Sequence, residues 1–236
     1  MIAPLLEAGL PALGVEPPAG AVARLEEYAR LLLEKNQVMN LTAITEPQQV
    51  ARLHVLDCAA LLGVCALEGK RLLDVGTGAG FPGVVLKILV PSLDVTLLDS
   101  LNKRLDWLEE TCGALGLAGI RTVHGRAEEK SRGDAFREQF DVVTSRAVAE
   151  LRTLSELCLP YVRPGGAFLA MKSVDSDGEL SAAGGAIAAL GGRLREKRDY
   201  RIPGTDVRHR VIVIEKISET PKKYPRSFAK IKKNPL

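Results

Sequence analysis

Between Leu72 and Gly83 the chain reads Leu-Leu-Asp-Val-Gly-Thr-Gly-Ala-Gly-Phe-Pro-Gly, an apolar run that passes into a glycine-rich turn and then into a helix-forming stretch. Glycine permits a tight turn and lets a ligand approach bare main chain, and the helix that follows presents unpaired amides to it. Two registers compete for this loop. Gly78, Gly80 and Gly83 satisfy the dinucleotide pattern Gly-x-Gly-x-x-Gly. The apolar strand, however, ends at Val75, which makes Gly76 the first turn residue and places Asp74 two positions upstream of it. A dinucleotide loop needs its strand to continue through Gly76-Thr77, which is poor strand sequence. The register that starts at Gly76 is preferred.

The surrounding pattern is that of an α/β domain. From Lys70 onward short apolar runs alternate with helical stretches, the signature of βαβ units and a parallel sheet. Strands are predicted at Arg71–Val75, Asp94–Asp99, Arg121–His124, Asp141–Ser145, Ala167–Lys172 and Val211–Lys216. Ahead of them, Val22, Leu25, Tyr28, Ala29 and Leu32 recur at helical spacing after Pro17-Pro18. A second helix is predicted from Thr45, as a cap, to about Leu62. This divides the chain into a helical N-terminal subdomain (1–50), a core (51–216) and a basic C-terminal tail (217–236).

Composition removes several classes of function. Lys87 interrupts the apolar run 84–90, which falls far short of the roughly 20 residues needed to cross a bilayer. Met1–Leu10 has no basic region and contains Pro4 and Glu7, so a secretory signal is not expected. The four cysteines, Cys58, Cys65, Cys112 and Cys158, form no Cys-x-x-Cys pair, which argues against a metal site or a disulfide framework and for a cytoplasmic chain. Charge is unevenly spread: Lys216–Leu236 holds seven basic residues against Glu219, and Arg193–Arg210 holds seven against three acids. Such stretches suit phosphate, although a solvated tail fits the same composition.

With the acid and three glycines in place, the chain resembles the class I S-adenosylmethionine-dependent methyltransferases. Asp99, at the end of Val95-Thr96-Leu97-Leu98-Asp99, stands where an acid in a doubly wound fold accepts hydrogen bonds from ribose hydroxyls. The resemblance places Gly125-Arg126-Ala127-Glu128 beside the adenine. It implies a Rossmann-like, mostly parallel sheet with an N-terminal helical extension. It also implies S-adenosylmethionine as cofactor, contacted by Asp74, Gly76, Gly78, Gly80, Phe81, Asp99, Ser100, Ala127, Glu128 and Arg146.

The segment after the fourth strand bears on the acceptor. Thr144-Ser145-Arg146-Ala147 lacks the Asn/Asp-Pro-Pro-aromatic motif of exocyclic amine methylation, and no cysteine stands there to activate a pyrimidine carbon. A ring nitrogen such as guanine N7 already presents a lone pair, so alignment alone suffices. Several motifs extend the resemblance: Asn40-Leu41-Thr42-Ala43-Ile44, His54-x-x-Asp57, Leu97-Leu98-Asp99-Ser100, Ser145-Arg146-Ala147, Met171-Lys172, Arg208-His209, Lys223-Tyr224-Pro225-Arg226 and Pro235-Leu236. With the glycine loop they resemble the bacterial small-subunit ribosomal RNA guanine-N7 methyltransferases (the RsmG or GidB family) over nearly the whole chain. The family usually has Arg and Ser where this chain has Leu53 and Cys58.

The resemblance implies a monomeric enzyme, without metal or membrane partner, that acts on one guanine of 16S ribosomal RNA in the small subunit. Arg146 is the expected catalytic residue, donating to the cofactor or to the guanine carbonyl, with a surface ion pair as the alternative. His54 and Asp57, at i, i+3 spacing, either orient something near the site or lock the helix to the core. RNA contacts are expected from Lys172, Arg208, His209, Lys222, Lys223, Arg226, Lys230, Lys232 and Lys233, and deletion of 218–236 is expected to spare cofactor binding. A nicotinamide-dependent oxidoreductase and a non-catalytic ribosome-assembly module are the competing readings.

Overall fold

The computed structural model describes residues 1–146 and 148–236. Seven strands form one sheet: β1 (Arg71–Val75), β2 (Asp94–Asp99), β3 (Ile120–His124), β4 (Phe140–Arg146), β5 (Val162–Ser173), β6 (Gly192–Arg201) and β7 (Arg208–Lys216). Their order is β3-β2-β1-β4-β5-β7-β6; β1 to β5 run parallel, and β7 is antiparallel to both its neighbours. The direction of winding reverses between β1 and β4, and in such sheets a crevice opens there beyond the carboxyl ends of the strands.

Successive side chains of a strand point to opposite faces, and the sequence uses both. Leu72, Val142, Leu169, Val211 and Val213 belong to one buried cluster, shared with Leu25, Tyr28 and Leu32 of the helix Ala21–Asn36 and with Val55 and Leu56. Leu73, Val143, Phe168, Ala170, Ile212 and Ile214 belong to the other, with Leu154 and Ile187 of the helices Leu151–Cys158 and Asp177–Ala189. The near-continuous apolar strands follow from this two-sided burial. Residues 1–50 therefore share a core with the sheet, and the helix Ala3–Ala12, with Leu6 and Leu10 buried, precedes the predicted one.

Three further features depart from expectation. Glu46, not Thr45, precedes the helical segment 47–63, and it makes no side-chain cap bond. That segment passes through a π-helical stretch, Ala51–Leu56, which carries His54; such stretches recur at functional sites. Strand β6 has no signature in the sequence, because Arg-Leu-Arg-Glu-Lys-Arg-Asp lacks apolar alternation. It is an edge strand, where charged side chains face water and guard the open edge.

The tail folds onto the body. Ile231 of the short helix Phe228–Lys233 is buried, and the Arg226 guanidinium and amide both donate to the fully buried Glu156 carboxylate. Arg137 donates to the carbonyls of Thr220 and Tyr224, and the buried Lys216 ammonium donates to the Leu159 and Val162 carbonyls and to Thr220 Oγ1.

Candidate active site

A cleft of about 490 Å³ occupies the switch point, and its two walls are built differently. On the first wall, β1 ends at Val75 and the loop turns at Gly76 (φ +69°), Gly78 (φ +58°) and Gly80 (φ +88°). A side-chain carbon on Gly76 would stand 2.6 Å from Val148, so only glycine fits there. On Gly78 it would meet nothing closer than a carbonyl at 3.9 Å, so this stretch is bare and open to a ligand.

Asp74 does not line the cleft. It is fully buried, and its Oδ2 accepts from Thr77 Oγ1 at 2.7 Å and from the Gly83 amide at 3.0 Å, which ties the loop to the helix behind it. Burial outweighs these bonds and pushes its carboxyl up to about 6. Gly80 also faces away, into Val84, the Tyr28 hydroxyl and Leu108. The Tyr28 hydroxyl donates to the Ala79 carbonyl, so an N-terminal helix shapes the loop.

The remaining residues expected at the cofactor do line this cleft: Gly76, Gly78, Phe81, Asp99, Ser100, Ala127, Glu128 and Arg146. Asp99 accepts from the Gly78 amide at 2.9 Å and from the Leu101 amide at 2.9 Å, which leaves further lone pairs for ribose hydroxyls. Apolar Val75, Leu98, Ala127 and Leu157 also line the cleft, and Phe228 from the tail joins them. An open glycine backbone, an acid at the end of β2 and apolar walls fit a nucleoside cofactor. The alternative register is not adopted, since no strand continues through Gly76.

The second wall is made of side chains distant in sequence. Arg146, at the end of β4, donates through Nη1 to Asp57 Oδ2 and to the Leu53 carbonyl, both at 3.2 Å, and through Nη2 to His54 Nδ1 at 3.0 Å. Its guanidinium lies 5.0 Å from the centre of the Phe81 ring, on which His54 also packs at 4.6 Å. Asp57 Oδ1 accepts from His209 Nδ1 and from the Tyr200 hydroxyl, each at 2.7 Å. Burial opposes the charge on Asp57, but His209 and Arg146 outweigh it and hold the carboxyl below its ordinary value. His209 is raised in turn, chiefly by that hydrogen bond. Burial, reinforced by Arg146, pushes His54 down to about 4, so its ring is neutral near pH 7.

The residues expected to meet RNA divide into two groups. Lys172 is held by Glu179 Oε2 and the Ala149 carbonyl at 2.7 Å each, His209 by Asp57, and Arg226 by Glu156. Arg208, Lys222, Lys223, Lys230, Lys232 and Lys233 are exposed and carry no ion pair among the described residues, with Lys223 over the Tyr224 ring. Most of the basic stretch 193–210 is neutralised, as in Arg193–Glu215, Lys197–Asp177 and Arg210–Asp199. No local sequence signal places Tyr200 in the network or Phe228, an RNA-stacking candidate by sequence, in the cleft. Tyr200 reaches Asp57 only because β6 pairs it beside His209, and Phe228 only because the tail folds back. Ala147 of the Ser-Arg-Ala motif lies outside the described residues.

A sheet wound in this order, with an open glycine loop at its switch point, has the class I S-adenosylmethionine-dependent methyltransferase fold. Among solved structures, TrmN from Thermus thermophilus is 26% identical with a TM-score of 0.54, over 69% of this chain and 48% of that one, about half its length. A ribosomal protein L11 methylase from Lactobacillus delbrueckii shares the fold at 15% identity and a TM-score of 0.52, over 70% of this chain and 79% of that one. Within the class, the chain belongs to the rRNA small subunit methyltransferase G (GidB) family, whose model matches residues 21–198. Proteins named ribosomal RNA small subunit methyltransferase G are similar throughout. That of Lachnoclostridium phytofermentans is 48% identical over 97% of this chain and 95% of its own length, and that of Symbiobacterium thermophilum 49% over 98% and 97%.

Proposed function

We propose that this small-subunit ribosomal RNA methyltransferase transfers the methyl group of S-adenosylmethionine to N7 of a guanine, by direct in-line attack without a general base. The sulfonium of S-adenosylmethionine supplies an electrophilic methyl group. Gly76, Gly78, Phe81, Asp99, Ser100, Ala127 and Glu128 would hold the cofactor, with Asp99 accepting from the ribose.

One observation carries the acceptor assignment: among the described residues, the second wall offers donors and no free base. Both ring nitrogens of His54 are engaged, Nδ1 with Arg146 and the Leu53 carbonyl and Nε2 with Thr42 Oγ1, and Asp57 is 2% exposed and accepts from three partners. Burial pushes the Cys58 and Cys158 thiols up, away from nucleophilic thiolate. An amine that must shed a proton, or a ring carbon that needs a nucleophile, finds no partner here. A ring nitrogen with an in-plane lone pair needs only alignment. Three of the five guanidinium N–H groups of Arg146 are used in the network, which leaves two for the cleft. They suit the guanine O6, an acceptor beside N7.

The test is to incubate the protein with methyl-labelled S-adenosylmethionine and unmethylated small subunits, alongside naked 16S RNA, transfer RNA and large subunits. Label recovered as 7-methylguanine at one small-subunit position is the expected outcome. Label on an exocyclic amine or a pyrimidine carbon overturns the acceptor atom, and tight cofactor binding without transfer favours an assembly role.

A further inference from the structure

The direction of the hydrogen bonds on the second wall leads to a residue with an unspent donor. His54 Nδ1 lies 3.0 Å from Arg146 Nη2, which only donates, and 3.1 Å from the Leu53 carbonyl, which already accepts from Arg146 Nη1; a proton on Nδ1 would face the guanidinium N–H, so Nδ1 is assigned as the acceptor. The neutral ring then bears its proton on Nε2 and donates it to Thr42 Oγ1 at 2.8 Å. The Ile44 amide donates to the same oxygen at 3.0 Å. With both lone pairs occupied, the one function left to Thr42 is its own O–H, which has no acceptor among the described residues. Thr42 lines the cleft together with His54, Phe81 and Arg146. Its main chain is fixed as well: Asn36 Oδ1 accepts from the Leu41 and Thr42 amides at 2.8 and 2.9 Å, and Asn36 Nδ2 donates to the Thr42 carbonyl at 2.9 Å.

We propose that Thr42 is a ligand-binding residue whose hydroxyl donates to an acceptor oxygen of the molecule in the cleft, with His54 as the positioning residue that fixes the direction of that bond. Two oxygens have the required chemistry: the carboxylate at the amino-acid end of the cofactor and the ring carbonyl of the target guanine. The chain Arg146 to His54 to Thr42 then acts as a polarity relay without proton transfer. A charged His54 would lose the acceptor that Arg146 needs, and its low proton affinity keeps the relay in one sense. This inference rests on the methyl-transfer reading.

The experiment compares full-length wild type with Thr42→Val, which keeps the shape and removes the O–H, and with Thr42→Ser, which keeps the O–H. S-adenosylhomocysteine and 5′-methylthioadenosine, which lacks the carboxylate, are titrated into each, and KM and kcat are measured with unmethylated small subunits. Melting temperatures establish that the variants fold. Thr42→Val is expected to lose about tenfold or more in one reading while Thr42→Ser stays within about twofold of wild type, as for a buried hydrogen bond to a ligand. A loss for S-adenosylhomocysteine that 5′-methylthioadenosine does not share identifies the carboxylate. Unchanged binding of both with a raised KM or lowered kcat identifies the guanine carbonyl. A Thr42→Val protein equal to wild type in every reading, or a Thr42→Ser protein as impaired as Thr42→Val, overturns the proposal. A wild type that binds S-adenosylhomocysteine but methylates nothing overturns the reaction instead, and the binding arm still decides the role of Thr42.

Discussion

The two walls of the cleft reach their shape by opposite routes. The glycine wall is built on two short stretches, 75–81 and 98–100, and shaped mainly by backbone: left-handed glycines, an amide donated to Asp99, and an acid at a strand end. The second wall, here the network wall, gathers Thr42, His54, Asp57, Arg146, Tyr200 and His209 from four parts of the chain, and its shape is a hydrogen-bond network around one buried carboxylate. A backbone wall is broken by adding an atom, whereas a network wall is broken by removing one.

The largest effect is therefore expected from Asp57→Ala. It strands Arg146, at 17% side-chain exposure, beside a hole and releases Tyr200 and His209. Breaking a buried charge pair by removing one partner costs about 3 kcal/mol or more, which lowers the melting temperature of a chain this size by roughly 6 to 12 °C. If the glycine wall holds the cofactor as proposed, methyl transfer is expected to fall further than cofactor affinity, because that wall does not use Asp57. Equal loss of both, measured by calorimetric titration and a transfer assay, breaks the separation of the two walls.

Gly76→Val probes the other wall. A β-branched residue at φ +69°, with its Cβ directed at Val148, combines backbone strain with a clash. Strain of about 1–3 kcal/mol per misplaced residue corresponds to a loss of cofactor affinity approaching a hundredfold. Gly78→Ala, strained but unobstructed, is expected to lose less. Similar losses for the two variants show that conformation alone, and not the approach to Val148, constrains the turn.

The same contrast explains what was legible beforehand. The glycine register, the ends of β1 and β2 and the position of Asp99 depend on local propensity and period, so each could be read from a short run of adjacent letters. Arg146 could be placed because it ends a recognisable strand. The bond between Asp57 and His209 spans 152 residues and needs β7 registered against β6, a strand hidden by its charges. The expectation that Lys172, His209 and Arg226 face RNA had no means of counting the carboxylates that the fold brings to them.

A smaller effect tests the electrostatics of the network. The folded pKa of His209 is raised above 6.5, so its contribution is fully present below that value and is lost as pH rises through the raised one. The folded pKa of Asp57 is lowered, so its contribution is present above 3.8 and is lost as pH falls through the lowered value. Because His209 is one-third exposed, its share is at most about 1 kcal/mol. Melting temperature measured from pH 5 to 9 is expected to decline on the alkaline side in wild type and to decline less in His209→Ala. Superimposable slopes remove His209 from the network.

The smallest effect on either wall is expected from the tail lysines, and substitution resolves what deletion confounds. Removing 218–236 leaves the buried Glu156 without Arg226, takes Thr220 from Lys216 and takes Phe228 from the cleft, so cofactor binding and stability are expected to fall together, contrary to the expectation from sequence. Changing Lys222, Lys223, Lys230, Lys232 and Lys233 to Gln leaves those anchors in place, since none of the five makes an ion pair among the described residues. Cofactor affinity is then expected to stay unchanged while the slope of log K for 16S RNA against log salt becomes shallower by about 0.7–0.9 for each lysine that meets a phosphate. Such contacts position the RNA without reading its bases, so the site of methylation, mapped on the product, is expected to stay the same. An unchanged slope moves the RNA footprint away from the tail, to Arg208 and the cleft rim. A shifted methylation site makes the tail part of the network wall, and the division between a wall that aligns and a surface that attracts no longer holds.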